Sequence, residues 1–421
     1  MKRLIGFGAL LCLLAFMVGC GGVSSTGTLA YVSNSNGTGF TVYTVNTDGT
    51  LTRASISPQS MPAGPMMLQF TANGKWAYFL DKGGQNIYGY KRNGDGSMTT
   101  EIDAYPVSSA SAIALSPNSN YLYVALPNVQ YGSQKGELWV YSIDANAGIL
   151  NFQANSVVQT IPIDQLIMNS SGTILYGLSK EKQTVVAFTI TATNGNAVQS
   201  ATTPTGPSPS WMILSANGSY MYVLDQYATT QLPTPQSTST SCPSTNAPRD
   251  LCSPNIYGYT TTSTGSLTPM SGSPFPENYD LLTYQYPANP MGGATSSDSR
   301  YLFVTNQGSM NVSVFRISSS VQVSPGEPIE ITGSVTNTNG VETSTASPFP
   351  VPCPASSGTP NCSPGFTVSA GQNNGLFIMD SNASRIYQLR VDLNTGRLRS
   401  QNPAYVSGET SSSTPTWITI R

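Results

Sequence analysis

The 421 residues of the chain include no histidine, and this absence narrows the chemistry open to it. Ser-His-Asp and Cys-His catalytic units and His-ligated metals are excluded, and the usual carrier of protons near neutral pH is missing. Acid–base work is left to carboxylates, which are few: 20 Asp plus Glu against 18 Lys plus Arg, with charged residues only 9% of the chain. The net charge of −2 and the lack of a basic cluster beyond Lys2 and Arg3 argue against nucleic acid as a partner. Asp/Asn/Gly turns such as Thr47-Asp48-Gly49 and Asn394-Thr395-Gly396 are explained by turn chemistry without calcium. No metal and no cofactor is expected.

Cysteine usage points to export. Lys2 and Arg3 precede an apolar run, Leu4 to Val18, that is too short to span a bilayer. It ends in Met17-Val18-Gly19-Cys20, which resembles the bacterial lipobox. The resemblance implies a signal peptide over 1–19, lipidation of Cys20 and a flexible tether over 20–28. The protein is then lipid-anchored outside the cytoplasm at the cell envelope, and Gly21 favours the outer membrane or cell surface over retention at the inner one. Four cysteines remain as two local pairs, Cys242 with Cys252 and Cys353 with Cys362, ten and nine residues apart. In an oxidising compartment they are expected to form disulfides pinning two long insertions, 227–254 and 321–364. Zinc is the weaker alternative, since the spacings match no finger or ribbon. The insertions are secondary candidates for a binding surface, with Arg249-Asp250 displayed between the first pair.

The elements that position any site are read from a repeat. The charge deficit is filled by Ser, Thr, Asn, Gln, Gly and Pro, which suit turns and strand faces better than helices. Aromatic markers Tyr31, Tyr78, Tyr123, Tyr176, Tyr222, Phe303 and Phe377 recur at intervals of 47, 45, 53, 46, 81 and 74 residues. Each sits in an apolar strand such as LAYVSN or YMYVLD and is followed by an alternating strand such as NIYGYKR or RIYQLRV. Four strands in about 45 residues is the period of a β-propeller blade. The first repeat lacks an opening strand, whereas Pro415-Thr-Trp-Ile-Thr-Ile-Arg421 matches the opening strand Pro209-Ser-Trp-Met-Ile-Leu-Ser215. The expected fold is therefore all-β: a seven-bladed propeller of four-stranded blades over 29–421, closed by the C-terminal strand pairing into the N-terminal blade.

Particular repeats carry a resemblance. Gly206-x-x-Pro209 leads into an apolar strand, Ser215-Ala-Asn-Gly218 and Tyr220-Met-Tyr-Val223, and similar units occur at Ser116-Pro-Asn, Tyr121-Leu-Tyr-Val124, Asp48-Gly-Thr-Leu51 and Gly265-Ser-Leu267. These resemble the lactonase family of seven-bladed propellers, which includes propeller-type 6-phosphogluconolactonases; related YVTN-type propellers share the repeat. The family's pattern, Pro-Arg-His followed by Asn-Glu, falls on Pro209-Ser210-Trp211 and Asp225-Gln226. Arg, His and Glu are thus replaced by Ser, Trp and Gln, and the groups that would polarise a lactone carbonyl or shuttle a proton are lost.

Inner-strand heads ring the mouth of a propeller's channel, so Met67, Gln165, Ser210, Trp211, Gln226 and Trp417 are the candidate ligand contacts. Such a rim suits a sugar face or hydrophobic peptide better than a sugar phosphate. Packing of Trp211 and Trp417 between neighbouring blades is the competing expectation. Asp164 and Asp225 are weak catalytic candidates. The function expected from these residues is a non-catalytic, monomeric module binding a glycan, peptide or envelope protein, and the alternative is a lactone hydrolase using Asp164 or Asp225 to activate water.

Overall fold

The computed structural model describes residues 27–34, 39–132, 134–226, 255–276, 289–319, 328–330, 335–336, 343–344, 349–352, 355–356, 359–360, 363–370, 374–380, 382–407 and 415–421. The leader, Cys20, Cys242, Cys252, Cys353, Cys362 and Arg249-Asp250 lie outside the described residues. No helix among the described residues is long and apolar enough to cross a membrane.

Seven antiparallel sheets of four principal strands follow one another along the chain. Blade one contains Pro415–Ile420, Leu29–Asn34, Gly39–Val45 and Leu51–Arg53. Blades two to seven begin with the inner strands Pro65–Phe70, Ala112–Leu115, Gln165–Met168, Pro209–Leu214, Pro290–Thr295 and Pro364–Ala370. Each inner strand touches the next around the ring, and the last returns to the first. The marker strands are buried because both faces are covered by neighbouring blades, which explains why they read as continuous apolar runs.

Closure occurs as the sequence implies. Leu29–Asn34 pairs with Pro415–Ile420 on one side and Gly39–Val45 on the other. Within this seam Ile418 packs with Ala30, Val32 and Phe377. Thr419 Oγ1 donates to Leu68 O in blade two at 2.8 Å, and Tyr43 OH donates to Ser407 O in blade seven at 2.8 Å.

The marker tyrosines have a second role beyond filling the core. Tyr31, Tyr78 and Tyr123 donate to the carbonyls of Gly96, Gly148 and Gly195 at 2.7, 2.7 and 3.0 Å, in each case from one blade to a turn of the next. The turns can come this close because these glycines adopt positive φ and carry no Cβ. A Cβ on Gly148 would fall 2.6 Å from the Trp76 ring. Burial raises the pKa of all three hydroxyls, keeping them protonated donors. Tyr78→Phe is expected to cost about 1–2 kcal/mol, read as a lower urea midpoint at unchanged slope. An unchanged midpoint would show that packing alone joins the blades.

Two departures from the repeat bear on function. In blade six the outer strand is split: Pro328–Glu330 and Phe349–Pro350 both pair with Asn311–Ile317. Part of the stretch 321–364, expected to stand off the blade as one insertion, thus completes it. Blades one, three and five have the same two-piece outer edge without the long excursion. In blade three the second and third strands, Tyr121–Tyr131 and Gln134–Ile143, run on as a hairpin past Leu126 and Glu137. The corresponding connections Asp81–Asn86, Ser179–Thr184 and Asp380–Arg385 turn back at once.

Candidate functional site at the channel mouth

Five inner strands open with proline, and in each the register slips by one residue immediately afterwards, at Pro65, Pro209, Pro290, Pro364 and Pro415. Proline has no N–H for the ladder, and the bulge beside it re-aims the next side chains. Opposite each proline, at the end of the second strand, stands a buried Asp81, Asp225, Asn306, Asp380 or Asn34. The mouth is built from these heads and the acidic or amide side chains behind them.

The expected ligand contacts fall into two groups. Ser210 is buried, and its hydroxyl donates to Pro290 O of blade six at 2.7 Å. Ser111 makes the equivalent bond from blade three to Ile163 O of blade four. Gln165 is also buried; its Nε2 donates to Met212 O at 2.9 Å and its Oε1 accepts from Met212 N at 2.8 Å, joining blade four to blade five. Met67 occupies the same position in blade two, with Sδ accepting from Ile113 N at 3.5 Å. These three side chains are struts between inner strands. Asp164 is partly buried, and its Oδ2 accepts from Lys180 N at 2.8 Å within its own blade.

Trp211 and Trp417 are placed differently. Their ring centroids lie 6.3 Å apart at an interplanar angle of 55°. Trp211 belongs to blade five and Trp417 to blade one, and neither blade is next to the other in either direction. The contact therefore passes through the centre of the ring. Each indole leans on an inter-blade core cluster, and both remain partly exposed. Each indole thus combines packing on a core between blades with an aromatic contact across the channel.

Asp225 stands behind Trp211. Its Oδ2 accepts from Ser208 N at 2.9 Å and from no other group among the described residues. Gly206 packs so closely that a Cβ there would fall 2.0 Å from Oδ2 and 2.4 Å from the Tyr257 ring. Burial with one compensating hydrogen bond pushes the carboxyl up to about 6. Blade seven gives the contrast: Asp380 accepts from Ser363 N, Asn382 N, Ala383 N and Tyr387 OH, each at 2.9 Å. Gln226 follows Asp225, its amide nitrogen directed at Met291 Sδ of blade six, a weak acceptor. The Gly206-x-x-Pro209 motif flags Gly206 but not its approach to Asp225, and Tyr257, on the face of another strand, belongs to no motif of the site. Among the described residues no group of three His, Cys, Asp or Glu side chains could hold a metal ion.

A closed ring of seven four-stranded blades, with its inner-strand heads gathered at one mouth, defines a seven-bladed β-propeller. Residues 41–214 match the family described as "Lactonase, 7-bladed beta-propeller". Among solved structures, the chain is similar to a periplasmic gluconolactonase of Pseudomonas aeruginosa, with 15% identity, TM-score 0.63, and 93% of this chain and 98% of that one covered. A Bacteroides fragilis protein described as a candidate 6-phosphogluconolactonase aligns at 12% identity, TM-score 0.64, over 94% and 99%. A Lactobacillus plantarum protein aligns at 14% identity, TM-score 0.61, over 94% and 99%. At these identities the likeness is one of fold. No curated protein matches the chain.

Proposed function

We propose that this protein is a lactone hydrolase with a diverged channel-mouth site, acting on an uncharged cyclic ester. The lactonase-family match through residue 214, which includes the Trp211 strand, carries the reading. The raised pKa of Asp225 supports it, because a base titrating near 6 is ionised at neutral pH yet holds a proton well enough to return it. The lactone ring stacks against the Trp211–Trp417 bridge. The Asp225 carboxylate takes a proton from water as the water oxygen bonds to the lactone carbonyl carbon, and the Gln226 amide donates to the resulting oxyanion. The ring C–O bond then breaks, and the proton passes from Asp225 to the leaving oxygen. One lactone and one water give one hydroxy acid, whose ionisation releases H⁺. Cys20 holds the enzyme at the envelope by its acyl chains.

A pH-stat assay of residues 21–421 with D-glucono-1,5-lactone and γ-butyrolactone at pH 6.5–7.5 tests this. Turnover above the spontaneous rate is expected, with Trp211→Ala raising KM by about five- to tenfold and changing kcat little. A second reading, a binding module without turnover, is favoured by Ser210 and Trp211 standing where the family pattern has Arg and His. Quenching of tryptophan emission by a lactone that is never hydrolysed would establish it and overturn the hydrolase.

A further inference from the structure

An acid ends the second strand in blades two, five and seven, and in each a tyrosine stands diagonally across on the third strand: Tyr88 for Asp81, Tyr257 for Asp225 and Tyr387 for Asp380. The diagonal puts acid and ring on one face of the sheet, close enough for an aromatic side chain to reach. In blade seven the tyrosine is a donor, its hydroxyl reaching Asp380 Oδ2 at 2.9 Å. In blade two other groups serve Asp81, Gln85 N at 2.7 Å and Asn86 Nδ2 at 3.2 Å. Blade five keeps the tyrosine without the donation: Asp225 accepts from Ser208 N alone among the described residues.

What Tyr257 brings to Asp225 is therefore its ring. The lead-in at Gly206 presses on both, since one added Cβ there would meet the Asp225 carboxylate at 2.0 Å and the Tyr257 ring at 2.4 Å. The ring also packs on the core between blades four and five that contains Val223, its partner across the ladder two residues before Asp225. Asp225 is left 3% exposed. An aromatic wall excludes water and offers the carboxylate no donor in exchange, which favours the protonated form. Burial, and after it the charge of Asp225, raises the pKa of the Tyr257 hydroxyl in turn. Tyr257 and Tyr259 are the titratable groups that face Asp225 among the described residues, and both stay neutral over the range in which it titrates.

We infer that Tyr257 is a positioning residue for the Asp225 base, acting through its ring, which keeps water from the carboxylate, and not through its hydroxyl. The inference deepens the hydrolase reading and rests on it for the kinetic measurement alone. The test compares Tyr257→Ala and Tyr257→Phe, each with and without Asp225→Asn, by the pH dependence of lactone turnover and by melting temperature at pH 4 and pH 7.5. Tyr257→Ala opens space beside a polar group that water can fill, so the acid limb of turnover should move from about 6 down by about one pH unit. The extra stability that Asp225→Asn gives at pH 7.5 over pH 4 should fall by about half in the same background. Packing lost with the ring is common to both members of a pair and cancels. Tyr257→Phe should keep the wild-type pH midpoint and the wild-type asparagine effect, and it tests the inference by itself if Tyr257→Ala does not fold. Both quantities unmoved in Tyr257→Ala, or moved as far in Tyr257→Phe, would overturn the inference. If no variant turns over lactone, wild type included, the hydrolase reading fails and the melting pairs alone decide on Tyr257.

Discussion

Removal of residues 413–421 is expected to lower the thermal midpoint by roughly 6 °C or more, the largest stability change predicted for any short segment. The deletion takes the inner strand from blade one and strips one side of Leu29–Asn34, all six residues of which are buried. The ladder is lost, including the reciprocal bonds between Leu29 and Arg421, from Leu29 N to Arg421 O at 2.6 Å and from Arg421 N to Leu29 O at 2.7 Å. Ile418 leaves a core shared with blade seven, and the Thr419 bond to blade two disappears. One buried isoleucine is worth about 2–3 kcal/mol and each net hydrogen bond about 1 kcal/mol, so the total loss is at least about 5 kcal/mol. A closed ring would also become an open one with an apolar edge, so concentration-dependent aggregation should accompany the lower midpoint. Differential scanning calorimetry of the truncated and complete chains decides the matter. Coincident transitions would mean that the seam contributes nothing to the cooperative unit.

Asp225→Asn is expected to move activity and stability in opposite directions. As the proposed base, Asp225 must be ionised, so lactone turnover should rise with pH through about 6 and fall by about 10²-fold or more in the asparagine variant. Stability follows from the same shift. The folded pKa of about 6 lies above the ordinary 3.8, so the folded state holds its proton more tightly than the unfolded chain. Between about pH 4 and pH 6 the native state therefore carries the extra proton, and stability falls as pH rises through that window. Above it the native state bears a penalty of about 3 kcal/mol, which an uncharged asparagine avoids while still accepting from Ser208 N. Asp225→Asn should therefore melt higher than the wild type at pH 7.5, with the advantage shrinking to nothing at pH 4. A variant that loses stability at pH 7.5 would place Asp225 among the carboxylates whose charge the fold requires, as a structural group, and unaltered turnover would remove it from the mechanism.

Much of this architecture is legible in the chain because it is periodic. The marker tyrosines and their alternating partner strands set blade number and strand order, and the match between Pro415–Arg421 and Pro209–Ser215 reveals the seam. Even the blade-three hairpin left a trace: the interval from Tyr123 to Tyr176, 53 residues, is longer than the neighbouring 45 and 46, and the lengthened hairpin lies within it. The mouth is less legible. Inner-strand position alone groups Met67, Gln165, Ser210, Trp211 and Trp417, yet a one-residue bulge turns Ser210 towards the carbonyl of the next blade. Met67 and Gln165 likewise bond to backbone of the following inner strand.

What the sequence by itself determined is everything that repeats locally: strand, turn, blade and the identity of the strand that closes the ring. Only the tertiary structure decided which residues from distant blades meet. Trp211 and Trp417 are 206 positions apart and touch only because seven blades bend into a circle small enough for two indoles to bridge it. Asp225 is reached by one donor and Asp380 by four among the described residues, although both stand opposite a proline at the same position of their blades. The number of donors reaching a buried carboxylate depends on loops and neighbouring strands that no local pattern encodes.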